Sequence, residues 1–377
     1  MGALANVAPF RVLQAAARDP GAVAAAWKAR GGKVVGYRCL TVPEELILAA
    51  GCLPHPLYGT PDPVGPADAY LQSCSCELVR NLFDRALAGK YRDLDLLLLG
   101  NTCDITRKLV DVWNGFIPGV PAVLHNHPQK LHNEASRDFT LEELRRTAAA
   151  VERAAGRAIT PDALREAIAL ANHTRGLLRE LFALRAADGQ RFSAAEALDV
   201  VMGASLLPKP EANAALAALL DEVRRISPVA KPGPRILVSG SQLDSPVLLD
   251  MIEEEGGVVV AEDLCTSTRY FWHPVPAADD PYDALYRQFD RRPVCACLHP
   301  TDARFDFLTE LVDTFRAEAV VYFNIKYCHP FLYEAPIFKK RLEARGVPSI
   351  VLEVGHDLSG HGQLRTRLQA FIEMLTL

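Results

Sequence analysis

Nine cysteines are the chain's main chemical resource. Four stand just after short apolar runs: Cys39 after KVVGY, Cys103 after LDLLLLG, Cys265 after VVVAED and Cys328 after VVYFNIKY. Cys74 and Cys76 lie in LQSCSCELVR, where a loop turns into a helix. Cys295 and Cys297 lie inside the run VCACL, and Cys52 follows a helix in AAGCLP; these three read as small buried hydrophobes. Core packing gives no reason to collect thiols at the ends of several strands, so the remaining cysteines are candidate metal ligands. Their spacing restricts what they bind. No C-x₂-C is followed by a second such pair or a His pair, which disfavours a structural zinc site. No C-x₂-C-x₂-C run occurs, so a ferredoxin-like cluster wrapped by one loop is also disfavoured. Thiolates gathered from distant strand ends would build a single site between two domains. Such a site can be left one ligand short, and a 4Fe–4S cluster held by three cysteines keeps one iron open to water or substrate. Helix N-termini beside Cys76 and Cys103 would favour their thiolate forms.

The elements that must position these groups alternate in a regular way. From about residue 32 to 125, short apolar runs alternate with helical patterns: KVVGY, PEELILAAG, CELVRNLFDRALAGKY, LDLLLLG, TRKLVDVWNGF and PAVLH. That alternation predicts βα units on a parallel sheet. Between roughly 141 and 227 the pattern becomes Ala, Leu, Arg and Glu at helical spacing. SPVAKPGP reads as a connector, after which RILVSG opens a second alternating series that includes VVVAEDLC, PVCACLHP, AVVYFNIKYC and SIVLEVG. The predicted fold class is α/β, with two Rossmann-like (flavodoxin-like) parallel-sheet domains and an intervening helical segment. The boundaries are an N-terminal helical segment over 1–30, a first α/β domain over 31–136, helices over 137–230 and a second α/β domain over 231–377. In open sheets of this kind ligands sit outside the carboxyl ends of the strands, where most of the thiols fall.

Composition excludes other classes. The 377 residues are 49 % hydrophobic and 23 % charged, which is ordinary globular usage. A formal charge of −5 with no dense Lys/Arg run argues against nucleic acid. The apolar stretches are too short to cross a bilayer and no signal-peptide pattern opens the chain, so a cytoplasmic protein without a membrane partner is expected. An odd number of cysteines in a reducing compartment is no disulfide framework. Neither G-x-G-x-x-G after a strand nor G-x-x-x-x-G-K-[ST] occurs, so ATP binding by this chain is not expected.

Six ordered segments, GYRCLTVPEELILAAGCLP, CELVRNLFDRAL, NTCDITRKLVDVW, DLCTSTRYFW, NIKYCHP and GQLRTRLQAFIEML, resemble the D-component family of 2-hydroxyacyl-CoA dehydratases and the related cluster-bearing subunits of ATP-dependent benzoyl-CoA reductases. The resemblance implies two Rossmann-like domains, a homologous second subunit in a heterodimer, and an iron–sulfur centre near an acyl-CoA substrate. It further implies a separate ATP-hydrolysing iron–sulfur protein as electron donor. Carried over residue by residue, the family's three cluster cysteines fall on Cys76, Cys103 and Cys328, with Cys76 preferred to Cys74 because Arg80 stands where the motif expects it. Glu77 departs from the family's usual residue after this cysteine. Cys39, Cys74 and Cys265 are possible further ligands, and some relatives carry a double-cubane 8Fe–9S cluster on six cysteines. Between the two reactions, RYFWHPV, DLCTSTR and the chain length favour the benzoyl-CoA reductase type. A non-catalytic scaffold subunit is the reading from a different class.

Other residues have a chemical and a plain reading. His125 and His127 follow PAVL at a strand end and are candidate proton donors, or ordinary loop histidines. Thr41-Val42-Pro43-Glu44 fits a capping box, which makes Glu44 a helix-start device, while Glu45 reads as solvated or paired. His329 is a candidate donor to the cluster's surroundings. Arg269, Tyr270 and Trp272 would line the substrate pocket or join the core. Arg365 and Arg367 would meet a CoA phosphate or lie on the exposed face of the last helix.

Overall fold

The computed structural model describes residues 2–186, 189–292, 295–358 and 361–376, with the side chain at 361 left aside. Two helices, α1 (Ala8–Arg18) and α2 (Pro20–Ala29), lead into the first sheet unit. It contains β1 (Val34–Arg38), α3 (Glu44–Ala49), β2 (Leu53–Pro56), α4 (Glu77–Leu87), β3 (Leu96–Gly100), α5 (Asp104–Phe116) and β4 (Ala122–His125). Four helices follow: α6 (Glu134–Ala155), α7 (Pro161–Ala186), α8 (Ala194–Leu206) and α9 (Lys209–Arg225). The second unit holds β5 (Arg235–Gly240), α10 (Val247–Glu254), β6 (Val258–Asp263), α11 (Thr268–Phe271), α12 (Pro281–Arg291), α13 (Thr301–Thr314), β7 (Ala319–Ile325), α14 (His329–Ala344), β8 (Ser349–Val354) and α15 (His361–Thr376).

The strands are the apolar runs, and β3 and β7 are buried along their whole length, as parallel strands covered on both faces require. They form two four-stranded sheets in the orders β2-β1-β3-β4 and β6-β5-β7-β8, every pairing parallel. The two orders are the same when each unit is counted from its own first strand. In each, the first strand is central and its carboxyl end opens toward the crevice where the strand order reverses. The α/β fold expected from the alternating pattern is therefore present in both units.

One apolar cluster runs through both units, joining Val34, Leu97 and Leu99 to Val238, Val321 and Phe323. Helix α8 lies between the sheets, touching β2 on one side and β6 and α10 on the other. Its close approach to α1 depends on Gly203, where a Cβ would stand 2.1 Å from the carbonyl oxygen of Leu13. The helices thus seat one sheet against the other. Among the described residues no helix is long and apolar enough to cross a membrane.

The run PVCACLHP does not behave as its apolar content predicts. Residues 295–298 form a turn instead of a strand, and the following His299 makes a parallel bridge to Lys130 in the first unit. The amide of His299 donates to Gln129 O at 2.7 Å and the amide of Leu131 to His299 O at 2.9 Å, so the backbone polar groups here are satisfied across the seam. Pro293 and Val294 lie outside the described residues.

Candidate functional site

The carboxyl ends of five strands and one loop converge on a cavity of about 490 Å³. Arg38 ends β1 and Cys39 follows it; after β3 come Thr102 and Cys103, after β5 Ser241 and Gln242, after β6 Cys265, and after β7 Tyr327 and Cys328; the loop ahead of α4 adds Cys74 and Cys76. Every cysteine singled out from the sequence as a possible ligand lines this space, and Cys295 joins them from the turn that replaces the expected strand. Cys295 is buried in an apolar cluster, as expected, and lines the cavity as well, whereas Cys52 is buried away from the cavity, against Ile47 and Leu96. The wall also carries apolar side chains, among them Leu71, Val79, Ile105, Val112 and Phe331.

Cys76, Cys103 and Cys328 share one local design. Each is the residue directly before a helix, capping α4, α5 and α14 respectively. Neither Cys76 nor Cys103 makes a side-chain cap hydrogen bond, but the nearby amides of Leu78 and Val79 favour the Cys76 thiolate and that of Thr106 the Cys103 thiolate. A helix start offers unpaired amides and a partial positive charge, both of which favour a thiolate. Arg80 on α4 reaches back to Asp68 and to the Ser75 carbonyl at 3.2 Å, fixing the loop that delivers Cys76. Cys74, on the same loop, is exposed. Glu77, the departure from the expected motif, accepts the backbone amide of His356 at 2.7 Å and so ties α4 to the second unit. Two of the approaches require a left-handed backbone at non-glycine residues, Cys39 (φ 87) and Tyr327 (φ 63), conformations kept only where surrounding structure enforces them.

The thiols influence one another. A hydrogen bond from Cys328 brings Cys76 down to about 7 against the opposing effect of burial, and Cys328, as the donor, is pushed up. Cys295 is brought down to about 7 in the same way by Cys297. Burial, then the proximity of Cys295 and Cys265, pushes Cys39 up to about 12. Burial likewise raises Cys103, whose sulfur lies 3.1 Å from the Thr106 hydroxyl.

Among the described residues no three His, Cys, Asp or Glu side chains meet at one point as ligands of a single metal ion. Thiols are instead spread around the cavity wall. That arrangement and the softness of an all-sulfur donor set fit a polynuclear iron–sulfur group, in which each thiolate meets a different metal atom.

Beneath the cavity lie two charged networks. Asp263 at the end of β6 receives Arg269 at 2.7 and 2.9 Å and Arg304 at 3.1 Å, and Arg304 also bonds Glu334. Burial opposes the ionised form of Asp263, but the two guanidinium groups outweigh it and hold the carboxyl well below its usual range. Arg269 further donates to Gly240 O at 3.0 Å and lies 4.0 Å from the Cys265 sulfur, so it braces the floor rather than lining the pocket. In the second network Glu44 meets Lys209 at 3.0 Å and the Tyr270 hydroxyl at 2.9 Å, while Glu45 meets Arg175 at 2.6 Å. The capping box does not form: Pro43 precedes α3 with no side-chain cap, the Thr41 hydroxyl is unpartnered, and Glu44 is pulled inward by buried cations.

The remaining candidates fall elsewhere. His125 bonds Thr147 at 2.8 Å and His127 contacts the Pro128 carbonyl at 3.1 Å; both are buried and neither lines the thiol cavity. Burial drives His125 down to about 3 and His127 to about 4, so both are neutral. His329 does line the cavity. Trp272 stacks toward Phe315 at 5.7 Å. Arg365 pairs with Glu254 and Glu255 at 2.6 Å, and Arg367 donates to Val351 O at 2.8 Å, so both are held on the surface of the second unit. Arg38, Ser241 and Gln242 were not anticipated as site residues; their only signal was position directly after a strand.

The family model described as 2-hydroxyglutaryl-CoA dehydratase, D-component, matches residues 39–375. The chain is 27% identical to the (R)-phenyllactyl-CoA dehydratase beta subunit of Clostridium sporogenes, over 92% of each chain. It is 30% identical to the putative dehydratase subunit YjiM of Escherichia coli strain K12, over 92% of this chain and 93% of that one. It is 27% identical to a benzoyl-CoA reductase subunit from Thauera aromatica, over 92% of this chain and 91% of that one.

Proposed function

We propose, for a chain that belongs to the 2-hydroxyglutaryl-CoA dehydratase D-component family, that it is the iron–sulfur-bearing subunit of an enzyme that reduces or dehydrates an acyl-CoA by single-electron steps. The observation that carries this reading is the collection of Cys39, Cys74, Cys76, Cys103, Cys265, Cys295 and Cys328 on one cavity at the carboxyl ends of both sheets. Cys76, Cys103 and Cys328 would hold a 4Fe–4S cluster, with helix amides stabilising their thiolates. When bound, the cluster supplies a one-electron acceptor with an iron able to take an outside ligand. Leu71, Val79, Ile105 and Val112 would keep water from that ligand, and the apolar wall suits the acyl end of a thioester. The partners of this reading are a homologous second subunit and a separate ATP-dependent iron–sulfur electron donor, in the cytoplasm.

The sequence preference for a benzoyl-CoA substrate drew on RYFWHPV and DLCTSTR. Tyr270 meets Glu44 and Trp272 packs beside Phe315, and the relatives include both dehydratase and benzoyl-CoA reductase subunits, so ring reduction and dehydration both stand. A second reading is favoured by one observation: Cys39, Cys265 and Cys295 add three cavity-lining thiols to the first three, enough for a double-cubane cluster. Anaerobic purification followed by iron and sulfide analysis decides. About four irons per chain support a single cubane and about eight a double one, while none leaves only a scaffold subunit. Supplying benzoyl-CoA and a 2-hydroxyacyl-CoA separately, with partner subunit, electron donor and ATP, then identifies the reaction.

A further inference from the structure

Arg38 occupies a singular place in the cavity. It is the last residue of β1, the first strand of the first sheet, and its guanidinium donates to the side-chain oxygen of Gln242, which follows β5, the first strand of the second. Arg38, Cys39, Gln242 and Cys265 together line both the thiol cavity and a small void of about 20 Å³ behind it, so Arg38 forms part of the partition between the two. Cys39, Cys76 and Cys265 all lie within its electrostatic reach.

Its one side-chain hydrogen-bond partner here is a neutral amide, and the main opposing charge is the Asp244 carboxylate beyond it. Arg269 and Arg304, which reach Cys265 and Cys295, are both held by Asp263, and Arg292, near Cys265, donates to the Leu40 carbonyl. Lys108 lies on the exposed surface of the mouth, where water screens it. Arg38 instead bonds a neutral amide, and the carboxylate of Asp244 stands behind that amide, bound to its nitrogen and to the Gly59 amide at 2.7 Å. The positive end of this chain of groups faces sulfur and the negative end faces away. An arginine cannot release its proton at any relevant pH, so the field is permanent.

We infer that Arg38 is a positioning residue that sets the reduction potential of the metal group held by the cavity thiols, favouring its more negative, reduced state. This rests on the iron–sulfur reading above. Net charge around the sulfurs is a main determinant of a cluster's potential, and a guanidinium fixed in the cavity wall beside the thiols acts on it.

The test is a dye-mediated redox titration, followed by electron paramagnetic resonance, of the full chain loaded with iron and sulfide without oxygen. Arg38→Gln is expected to keep its iron and shift the one-electron equilibrium at least tenfold toward the oxidised form, about 59 mV for one electron. Arg38→Lys, which keeps the charge, should stay within threefold of the parent. Because Arg38→Gln removes a bond between the sheets, Gln242→Glu serves as the second variant. It leaves the arginine in place, neutralises it, and should move the potential in the same direction. Iron-loaded Arg38→Gln or Gln242→Glu with the parent's potential would overturn the inference alone. A parent chain that takes up no iron would overturn the cluster reading, and the inference with it.

Discussion

Cys103 carries the plainest test at the residue scale. It directly precedes α5, with its sulfur 3.1 Å from the Thr106 hydroxyl, but it does not belong to the apolar clusters that stabilise either sheet. Cys103→Ala is therefore expected to lose most of its iron while keeping the parent's circular dichroism and unfolding midpoint; full iron retention would remove it from the ligand set. His125 and His127 make a different prediction. Both are neutral in the fold, at about 3 and about 4, whereas an unfolded histidine titrates near 6.5. Between those values the unfolded chain binds protons that the folded chain does not, so stability must fall as pH falls from about 6.5. Each group contributes a slope approaching ~1.4 kcal/mol per pH unit. Urea unfolding at pH 7 and pH 5 should show this loss, and His125→Gln should flatten it; an unchanged slope would mean that the ring is not buried neutral.

At the element scale, local pattern and long-range contact decided different things. The strands after which Cys39, Cys103, Cys265 and Cys328 stand were legible because each apolar run is bounded by turn residues and is wholly or largely buried. The place of Cys295 was not legible. Its turn is fixed by a bridge between His299 and Lys130, a pairing across the two halves that no local window contains. Glu44 misled for the same reason: a sound capping signal was overridden by Lys209 and Arg175 from the helical segment. Helix packing yields a paired prediction. A Cβ at Gly203 would press into the backbone of Leu13, whereas one at Gly115, within α5, meets nothing within 4 Å. Gly203→Ala should cost about 2–3 kcal/mol. Gly115→Ala should add about 0.5–1 kcal/mol, through helix propensity alone. Urea midpoints of the two variants should move in opposite directions, and a neutral Gly203→Ala would contradict the close crossing of α1 and α8.

For the whole molecule, the cavity exists only because two similar sheets both turn carboxyl ends toward it. Polar contacts across the seam between them include Gly59 to Asp244 at 2.7 Å and the His356 amide to Glu77 at 2.7 Å, while Tyr58 meets Ser205 of the intervening α8 at 2.8 Å. Asp244→Ala and Glu77→Ala remove the first two without touching a thiol. Both should release iron to a chelator several-fold faster than the parent while retaining secondary structure, and unchanged release would show that the apolar core alone fixes the halves.

Cys76 and Cys103 belong to the first sheet unit and Cys328 to the second, following a strand whose partner β8 is still to come. During synthesis the earlier pair emerges long before the last thiol leaves the ribosome. A group gripped by all three would find its full set of sulfurs only once both sheets have formed.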